Sequence, residues 1–214
     1  MFNFVGRGVI AVTLYQLKPR FQKVLRPVTA CLHRVWVTAN HVTVTALAGS
    51  ILVGGLVAAY SAERAVFLLI PAWLLICMAL NAIDGMLARD FNQKSALGAY
   101  LNEICDVVSD AALYLPFALL APFHPLWVVL VIVLSGLSEF AGALGPLAGA
   151  SRRYDGPMGK SDRALVFGAL GLAAGLAPAL PTWLMWAMPV LAVLLCITTL
   201  NRIRAGVKEA RHCV

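Results

Sequence analysis

Long runs of hydrophobic residues, separated by short polar stretches, make up most of the chain. Runs of about 20 apolar residues match the ~30 Å hydrocarbon core of a bilayer at the rise of an α-helix. The pattern predicts an all-α membrane protein in the form of a six-transmembrane-helix bundle. The predicted spans cover residues 41–60, 65–89, 96–120, 125–148, 162–178 and 182–203.

The segment before the first span has a different pattern. Between Leu17 and Trp36, apolar residues recur at helical intervals among five Lys and Arg residues. Such a helix is typical of the headgroup layer, where positive charge is attracted to anionic lipid. A basic segment that only fixes topology explains the same charges. We expect one membrane domain over residues 1–214, with a basic amphipathic juxtamembrane helix at 12–37 and the six-helix bundle at 38–214.

Two predicted spans carry a stripe of small side chains at helical spacing, which lets neighbouring helices approach closely. The stripe of the first span is Ala46, Ser50, Gly54 and Ala58, and that of the fifth is Ala164, Gly168, Gly171 and Gly175. Just before the first span, Thr38 or Asn40 is the expected N-cap.

Composition supports the membrane assignment. With 61% hydrophobic and 13% charged residues, and a mean hydropathy of +0.83, a soluble chain of 214 residues could not cover its apolar surface. The five cysteines are scattered and predict neither a disulfide framework nor a zinc site. We do not expect a removable signal peptide, because no small-residue cleavage site follows the apolar start at Phe2 to Leu14.

Charge predicts the orientation. The six predicted spans place 16 of the 17 Lys and Arg residues on one side and only Arg64 on the other. This asymmetry is the positive-inside pattern, so both termini and the polar stretch Asn81 to Asp110 should face the cytoplasm from the inner membrane.

Acidic residues inside the predicted spans indicate where the chemistry lies, because a charge within a bilayer needs a partner. These residues are Asp84, Glu103, Asp106, Asp110 and Glu139. Asp84 shares a helix face with Asn81, Gly85 and Ala88, at spacings of three and four residues. On the following helix, Gly98, Asn102 and Asp106 recur at four-residue steps, with Asp110 one turn further. A connection of eight residues predicts that the two helices are antiparallel neighbours with facing polar sides.

Oxygen ligands alone suit a hard divalent cation such as Mg²⁺ or Mn²⁺, which proteins usually share with a phosphate group. Gly85 and Ala88 leave room for a nucleotide against the backbone, and Arg89 can pair with its phosphate oxygens.

The pattern Asp84-Gly85-x-x-Ala88-Arg89, then eight residues, Gly98, and Asp106 eight positions later, resembles the signature of the CDP-alcohol phosphotransferase (CDP-alcohol phosphatidyltransferase) family, and most nearly its YnbA-like branch. The resemblance implies transfer of a substituted phosphoryl group, usually from CDP-diacylglycerol, to an acceptor alcohol with release of CMP in phospholipid synthesis. The implied partners are CDP-diacylglycerol, the alcohol and the lipid bilayer, with no nucleic acid. A homodimer is compatible with family similarity and with the small-residue helix faces.

Family members hold two divalent ions with four aspartates, the last of which is thought to deprotonate the acceptor hydroxyl. Carried over by position, Asp84 is a metal ligand and Asp106 is a ligand or the general base. Gly85, Ala88, Arg89 and Gly98 would contact the nucleotide. In relatives the turn before the fifth span carries basic residues that bind the acceptor, so we expect this role for Lys160 and Arg163 rather than plain positive-inside charge.

The chain departs from the signature at two of the four aspartates, because positions 81 and 102 are Asn. An amide oxygen can still coordinate a hard cation, but each replacement removes a negative charge. Either one metal is bound weakly or lost, or Glu103, Asp110 or Glu139 supplies the missing charge. For Asp110 and Glu139, a structural partner within the bundle is the alternative.

The leading hypothesis is therefore an enzyme of phospholipid headgroup exchange. The alternative is a catalytically weakened or silent relative that binds a CDP-lipid or acts as a membrane partner, as Asn81 and Asn102 would allow. An ion or proton carrier that uses the intramembrane acids ranks third, because the acids crowd one half of the membrane.

Overall fold

A computed structural model describes residues 9–212, with side chains described from Gln22 to Arg211. Over residues 9–212 the chain forms seven α-helices and a few short 3-10 turns, without a strand. The helices are α1 (Val9–Arg34), α2 (Ala39–Ala59), α3 (Leu69–Asp90), α4 (Ala96–Tyr114), α5 (Pro125–Ala143), α6 (Lys160–Leu176) and α7 (Ala187–His212). The prediction of an all-α protein rich in apolar helices is confirmed.

Four helical segments between residues 9 and 212 are long and apolar enough to cross a membrane. They are Ala39–Ala59, Arg64–Asp90, Pro125–Ala143 and Thr182–Arg211. The other two predicted spans correspond to α4, which carries three carboxylates, and to α6, which has 17 residues. The count of six spans stays a prediction. The last helix continues well beyond the predicted end at residue 203, because hydropathy marks where the hydrocarbon core ends rather than where the helix ends.

The N-terminal helix α1 is amphipathic in its described part. Lys23 and Arg26 are exposed, whereas Leu25 and Leu32 pack against a small apolar cluster. That cluster consists of Ala39, Val42, Ile83, Met86 and Leu87. After α1 the chain turns sharply at Trp36, which has a φ of 63°. The arrangement supports the predicted amphipathic helix, and its position in the headgroup layer stays a prediction.

Helix α2 packs against both α3 and α4, so it lies at the centre of this half of the bundle. A Cβ atom at Gly54 would lie 2.1 Å from the carbonyl oxygen of Ala112, which shows how closely α2 approaches α4. Ser50 accepts a hydrogen bond from the indole of Trp73 on α3 at 2.9 Å. The predicted small-residue stripe of α2 therefore packs against other helices of the same chain. By contrast, α3 and α4 make few close backbone contacts with each other, although their short connection predicted direct neighbours.

The stripe on α6 is used in the same way. Gly171 lies against Pro71 and Phe67, and Gly175 lies against Leu68 at the start of the α3 segment. These contacts belong to a large apolar core, which includes the stacked rings of Tyr114 and Phe167 with centroids 3.7 Å apart. Because this core takes up much of the bundle, the polar side chains collect at the end where α3 and α5 finish and α4 and α6 begin.

Candidate functional site

Polar contacts fasten three chain segments together at this end of the bundle. The backbone N–H of Ala39, in the first turn of α2, donates to Oε1 of Gln93 at 2.8 Å. Nε2 of Gln93 lies 3.3 Å from Nδ1 of His33, whose ring is 4.4 Å from that of Phe91. Thr38 caps α2 by accepting from the N–H of His41 at 3.2 Å, which confirms one of the two predicted caps. The α3–α4 connection is thereby tied to the junction of α1 and α2.

Asp84 on α3 is buried, and its partner comes from α2. The hydroxyl of Thr43 donates to Oδ2 of Asp84 at 2.9 Å. Among the side chains from Gln22 to Arg211, no Lys, Arg or His forms an ion pair with Asp84. Sequence reasoning did not single out Thr43, because a threonine in an apolar helix usually bonds to its own backbone. The hydroxyl oxygen of Thr43 also lies 3.1 Å from the carbonyl of Ala39, so its single proton is shared between the two acceptors, with the shorter distance to Asp84.

The three carboxylates of α4 have a different environment, because each is paired with a basic side chain. Glu103 pairs with Arg152, and Oδ1 of Asp106 lies 2.5 Å from Nζ of Lys160. Oδ2 of Asp110 accepts from Arg163 at 2.8 Å and 3.1 Å. The spacing of three and four residues puts these carboxylates on one face of α4, as predicted for Asp106 and Asp110. That face therefore meets the loop before α6 and the first turn of α6.

Glu139 on α5 connects these pairs to α7. Its Oε1 accepts from Nη2 of Arg163 at 3.0 Å, and its Oε2 lies 3.2 Å from Nη1 of Arg202 and 3.6 Å from Nη2 of Arg152. Arg202 also donates to the carbonyl of Ser138 at 2.5 Å. We call the connected side chains the charged cluster: Glu103, Asp106, Asp110, Glu139, Arg152, Lys160, Arg163 and Arg202.

The charged cluster answers some questions that the sequence left open. Asp110 and Glu139 have the structural partners named as alternatives, and Arg163 is 2% exposed rather than open to solvent. A metal role for Glu103 or Asp110 stays a prediction, and it would require their ion pairs to open. Sequence reasoning identified neither Arg152 nor Arg202 as a partner of these carboxylates. The available signal was Arg202 itself, an isolated charge at the end of an apolar run that needs a partner.

The residues predicted to contact a nucleotide lie near the same end. Arg89 is exposed, and its Nη1 atom would lie 3.2 Å from a Cβ at Gly85. At Gly98 a Cβ would lie 2.8 Å from Oδ1 of Asn40 on α2. Glycine at position 98 thus allows α2 and α4 to meet, and its N–H donates to the cap residue Ser95 at 2.9 Å. Ala88 is half-buried beside this face. Nucleotide contacts for all four stay predictions.

The predicted metal ligands are Asp84 and Asp106 with the amides of Asn81 and Asn102. Their oxygen atoms are the ligand type that Mg²⁺ and Mn²⁺ prefer. In the described part of the chain, no group of three or more His, Cys, Asp or Glu side chains is arranged to hold a metal ion. With two carboxylates and two amides, the donor chemistry fits a hard cation but carries less charge than four aspartates would.

The family model described as CDP-alcohol phosphatidyltransferase matches residues 36–198. The inner membrane protein YnbA of Escherichia coli (strain K12) is 48% identical over 196 residues, which cover 91% of this chain and 96% of that protein.

Among solved structures, the Mycobacterium tuberculosis phosphatidylinositol phosphate synthase PgsA1 with CDP-DAG bound is similar, with a TM-score of 0.72 and 21% identity. The match covers 86% of this chain and 94% of that one. The same synthase with manganese and citrate has a TM-score of 0.68 and 22% identity, over 84% of this chain and 87% of that one. At such identities the likeness shows a shared fold.

Proposed function

Because the chain belongs to the CDP-alcohol phosphatidyltransferase family, and so to a class of phosphotransferase enzymes, we propose that it moves a phosphatidyl-type group from CDP-diacylglycerol, or a similar CDP-linked donor, to an acceptor alcohol. The family, its YnbA-like branch and the enzyme class agree with the sequence predictions; the donor and the acceptor are part of the proposal. The observation that carries it is the position of Asp106. This carboxylate is held by Lys160 at 2.5 Å, at the end of the bundle where α3 also carries Asp84.

In the proposed reaction Asp106 is the general base. Its carboxylate takes the proton from the acceptor hydroxyl, while the hydroxyl oxygen forms a bond to the phosphorus that carries the lipid. The bond from this phosphorus to the CMP oxygen breaks, and CMP leaves. Lys160 holds the carboxylate in place during the proton transfer. Arg89 binds a phosphate of the nucleotide, and the small side chains of Gly85 and Ala88 allow the nucleotide to approach the backbone.

Asp84, Asp106, Asn81 and Asn102 would hold Mg²⁺ or Mn²⁺, which when bound counters the charge of the donor pyrophosphate. The charge of Asp106 is already matched by Lys160. Asp84 is the one carboxylate of this set that lacks a basic partner among the described side chains. This difference supports one divalent ion per chain rather than two.

We place the site at the cytoplasmic face of the inner membrane, with six spans and both termini inside. The support is the distribution of 16 of 17 basic residues to one side. A homodimer has less support than the sequence suggested, because the small-residue faces of α2 and α6 are used for packing within the chain.

CMP release by the purified protein tests the proposal. We expect turnover with CDP-diacylglycerol, Mg²⁺ or Mn²⁺ and at least one alcohol from a broad panel. Asp106→Asn should lower the rate about 10²- to 10⁴-fold, as for loss of a general base. Glu63→Gln is the matched control, since this exposed carboxylate precedes the α3 segment at the opposite end of the bundle. Absence of turnover with every alcohol would contradict the proposal.

A second function is favoured by Asn81 and Asn102. A chain with two of the four carboxylates could bind a CDP-lipid without turning it over, or serve as a membrane partner. The double variant Asn81→Asp, Asn102→Asp separates the two functions. If CMP release appears only in the double variant, the natural chain is the silent relative.

A further inference from the structure

The charged cluster contains as many carboxylates as basic side chains. Four carboxylates from α4 and α5 meet three arginines and one lysine from α6, α7 and the loop before α6. At neutral pH their formal charges cancel. The basic side chains that sequence reasoning assigned to the acceptor are thus already neutralised by the protein itself.

Glu139 has the largest share in this neutralisation. It is 7% exposed and lies between Arg163 and Arg202, which are each 2% exposed. Its second oxygen also lies 3.6 Å from Arg152. One carboxylate on α5 therefore offsets arginines from three different segments of the chain.

A phosphate group would bind poorly in such a place. A phosphate monoester carries a charge of about −1.5 to −2 at neutral pH, and a buried charge is costly unless it meets an opposite one. Here the positive charge of each arginine is already matched by a carboxylate, and a phosphate would face Glu139 and Asp110 as like charges. Like charges brought together at a binding site cost several kcal/mol in general.

A hydroxyl group, by contrast, would add no charge to the cluster. Nη1 of Arg163 and Nε of Arg202 are buried and have no hydrogen-bond partner in the described part of the chain. A buried N–H donor without a partner is unfavourable, and an alcohol oxygen can accept from it. The cluster thus retains donors for hydroxyl oxygens although it has no surplus positive charge.

We propose that the acceptor is an alcohol without net negative charge, and that Glu139 is the residue that excludes phosphorylated alcohols. The inference rests on the proposed transfer to an alcohol and specifies the class of that alcohol. Arg163 remains an acceptor contact, through its N–H donors rather than through its charge.

Paired acceptors that differ by one phosphate test this directly. The pairs are glycerol with glycerol 3-phosphate, and inositol with inositol phosphate, each with CDP-diacylglycerol and Mn²⁺. We expect the natural chain to prefer the unphosphorylated member in kcat/KM. Glu139→Gln should shift the ratio of the two kcat/KM values toward the phosphorylated member by about tenfold or more.

Glu209→Gln is the matched control. Glu209 is paired with Arg153 outside the charged cluster, so this variant also removes one negative charge from the same end of the bundle. We expect an unchanged ratio. Glu103→Gln is a second test variant, because its side chain is 31% exposed and its loss disturbs the buried contacts less. It should shift the ratio in the same direction as Glu139→Gln, but by less.

A binding measurement separates this inference from the proposed function. Inorganic phosphate should raise the unfolding temperature of Glu139→Gln and leave that of the natural chain and of Glu209→Gln unchanged. If no acceptor is turned over but this difference is found, the proposed function fails and the charge argument stands. If the natural chain prefers a phosphorylated acceptor, or binds phosphate as tightly as Glu139→Gln, the inference is overturned.

Discussion

Asp84 and Asp110 are buried to almost the same extent, with 6% and 7% exposed, yet they have different partners. Asp110 on α4 is paired with a buried arginine, whereas Asp84 on α3 receives one hydroxyl hydrogen bond from Thr43. The α4 carboxylates are paired with basic side chains of α6 and of the loop before it. Together with Glu139 they form the charged cluster, which joins four helices. Asp84 has no basic partner among the described side chains. The comparison distinguishes Asp110, which is neutralised by a buried partner within the bundle, from Asp84, which we propose as a ligand for a cation from outside.

Removal of Arg163 should give the largest effect. Arg163→Met leaves Asp110 buried without its cation and removes one partner of Glu139. We expect the free energy of unfolding to fall by about 3–5 kcal/mol, as for a broken buried ion pair. Denaturant titration in detergent micelles, followed by circular dichroism, measures the change.

Lys160→Met is the matched control, one turn earlier on the same helix. The Lys160–Asp106 pair is partly exposed, so its loss should cost about 1 kcal/mol or less. Equal losses of unfolding free energy in the two variants would show that burial does not determine how much each ion pair contributes to stability.

Replacement of Asp84 should change the free energy of unfolding in opposite directions without and with a bound divalent metal. In the presence of a chelator, Asp84→Asn should raise the free energy of unfolding by about 1 kcal/mol, because it removes an unpaired buried charge. With Mn²⁺ at about 100 times its Kd, the natural chain should gain about 2.7 kcal/mol, and the variant should gain little. The same titration with and without Mn²⁺ measures both quantities.

Asp110→Asn is the control for this experiment. It weakens the pair with Arg163, so it should destabilise the protein whether or not Mn²⁺ is present. Destabilisation of Asp84→Asn in the chelator would mean that Asp84 also has a structural role.

Loss of the Thr43 hydroxyl should give the smallest effect. Thr43→Val removes the one side-chain hydrogen bond to Asp84, and we expect a loss of about 1 kcal/mol together with weaker Mn²⁺ binding. Thr45→Val serves as the comparison, because its exposed hydroxyl donates only to the carbonyl of His41. A calorimetric titration with Mn²⁺ that gives the same affinity for both variants would remove Thr43 from the site.

Sequence reasoning was most successful where the relevant signal is local. Apolar runs located the helices, since a helix in lipid satisfies its own backbone and needs only a long enough apolar stretch. Helical spacing likewise put Asp106 and Asp110 on one face of α4, and the signature identified the family. Thr38 could be named as a cap because capping involves residues three apart.

Contacts between distant parts of the chain could not be predicted in this way. Arg163 meets an aspartate 53 positions away and a glutamate 24 positions away, and nothing in the local pattern selects these partners. The short α3–α4 connection suggested that the two helices pack directly on each other. Instead, α2 is the common neighbour of both helices: it approaches α4 closely at Gly54, and it meets Asp84 of α3 through Thr43.

The side chain of Gln93 has one further consequence. It joins the loop between α3 and α4 to the first turn of α2 and to His33 near the end of α1. In the predicted position of α1 in the headgroup layer, a tilt or displacement of that helix would be transmitted through Gln93 to the rim of the candidate site. The lipid composition of the surrounding leaflet would then influence the geometry of the site without a lipid occupying the place of either substrate.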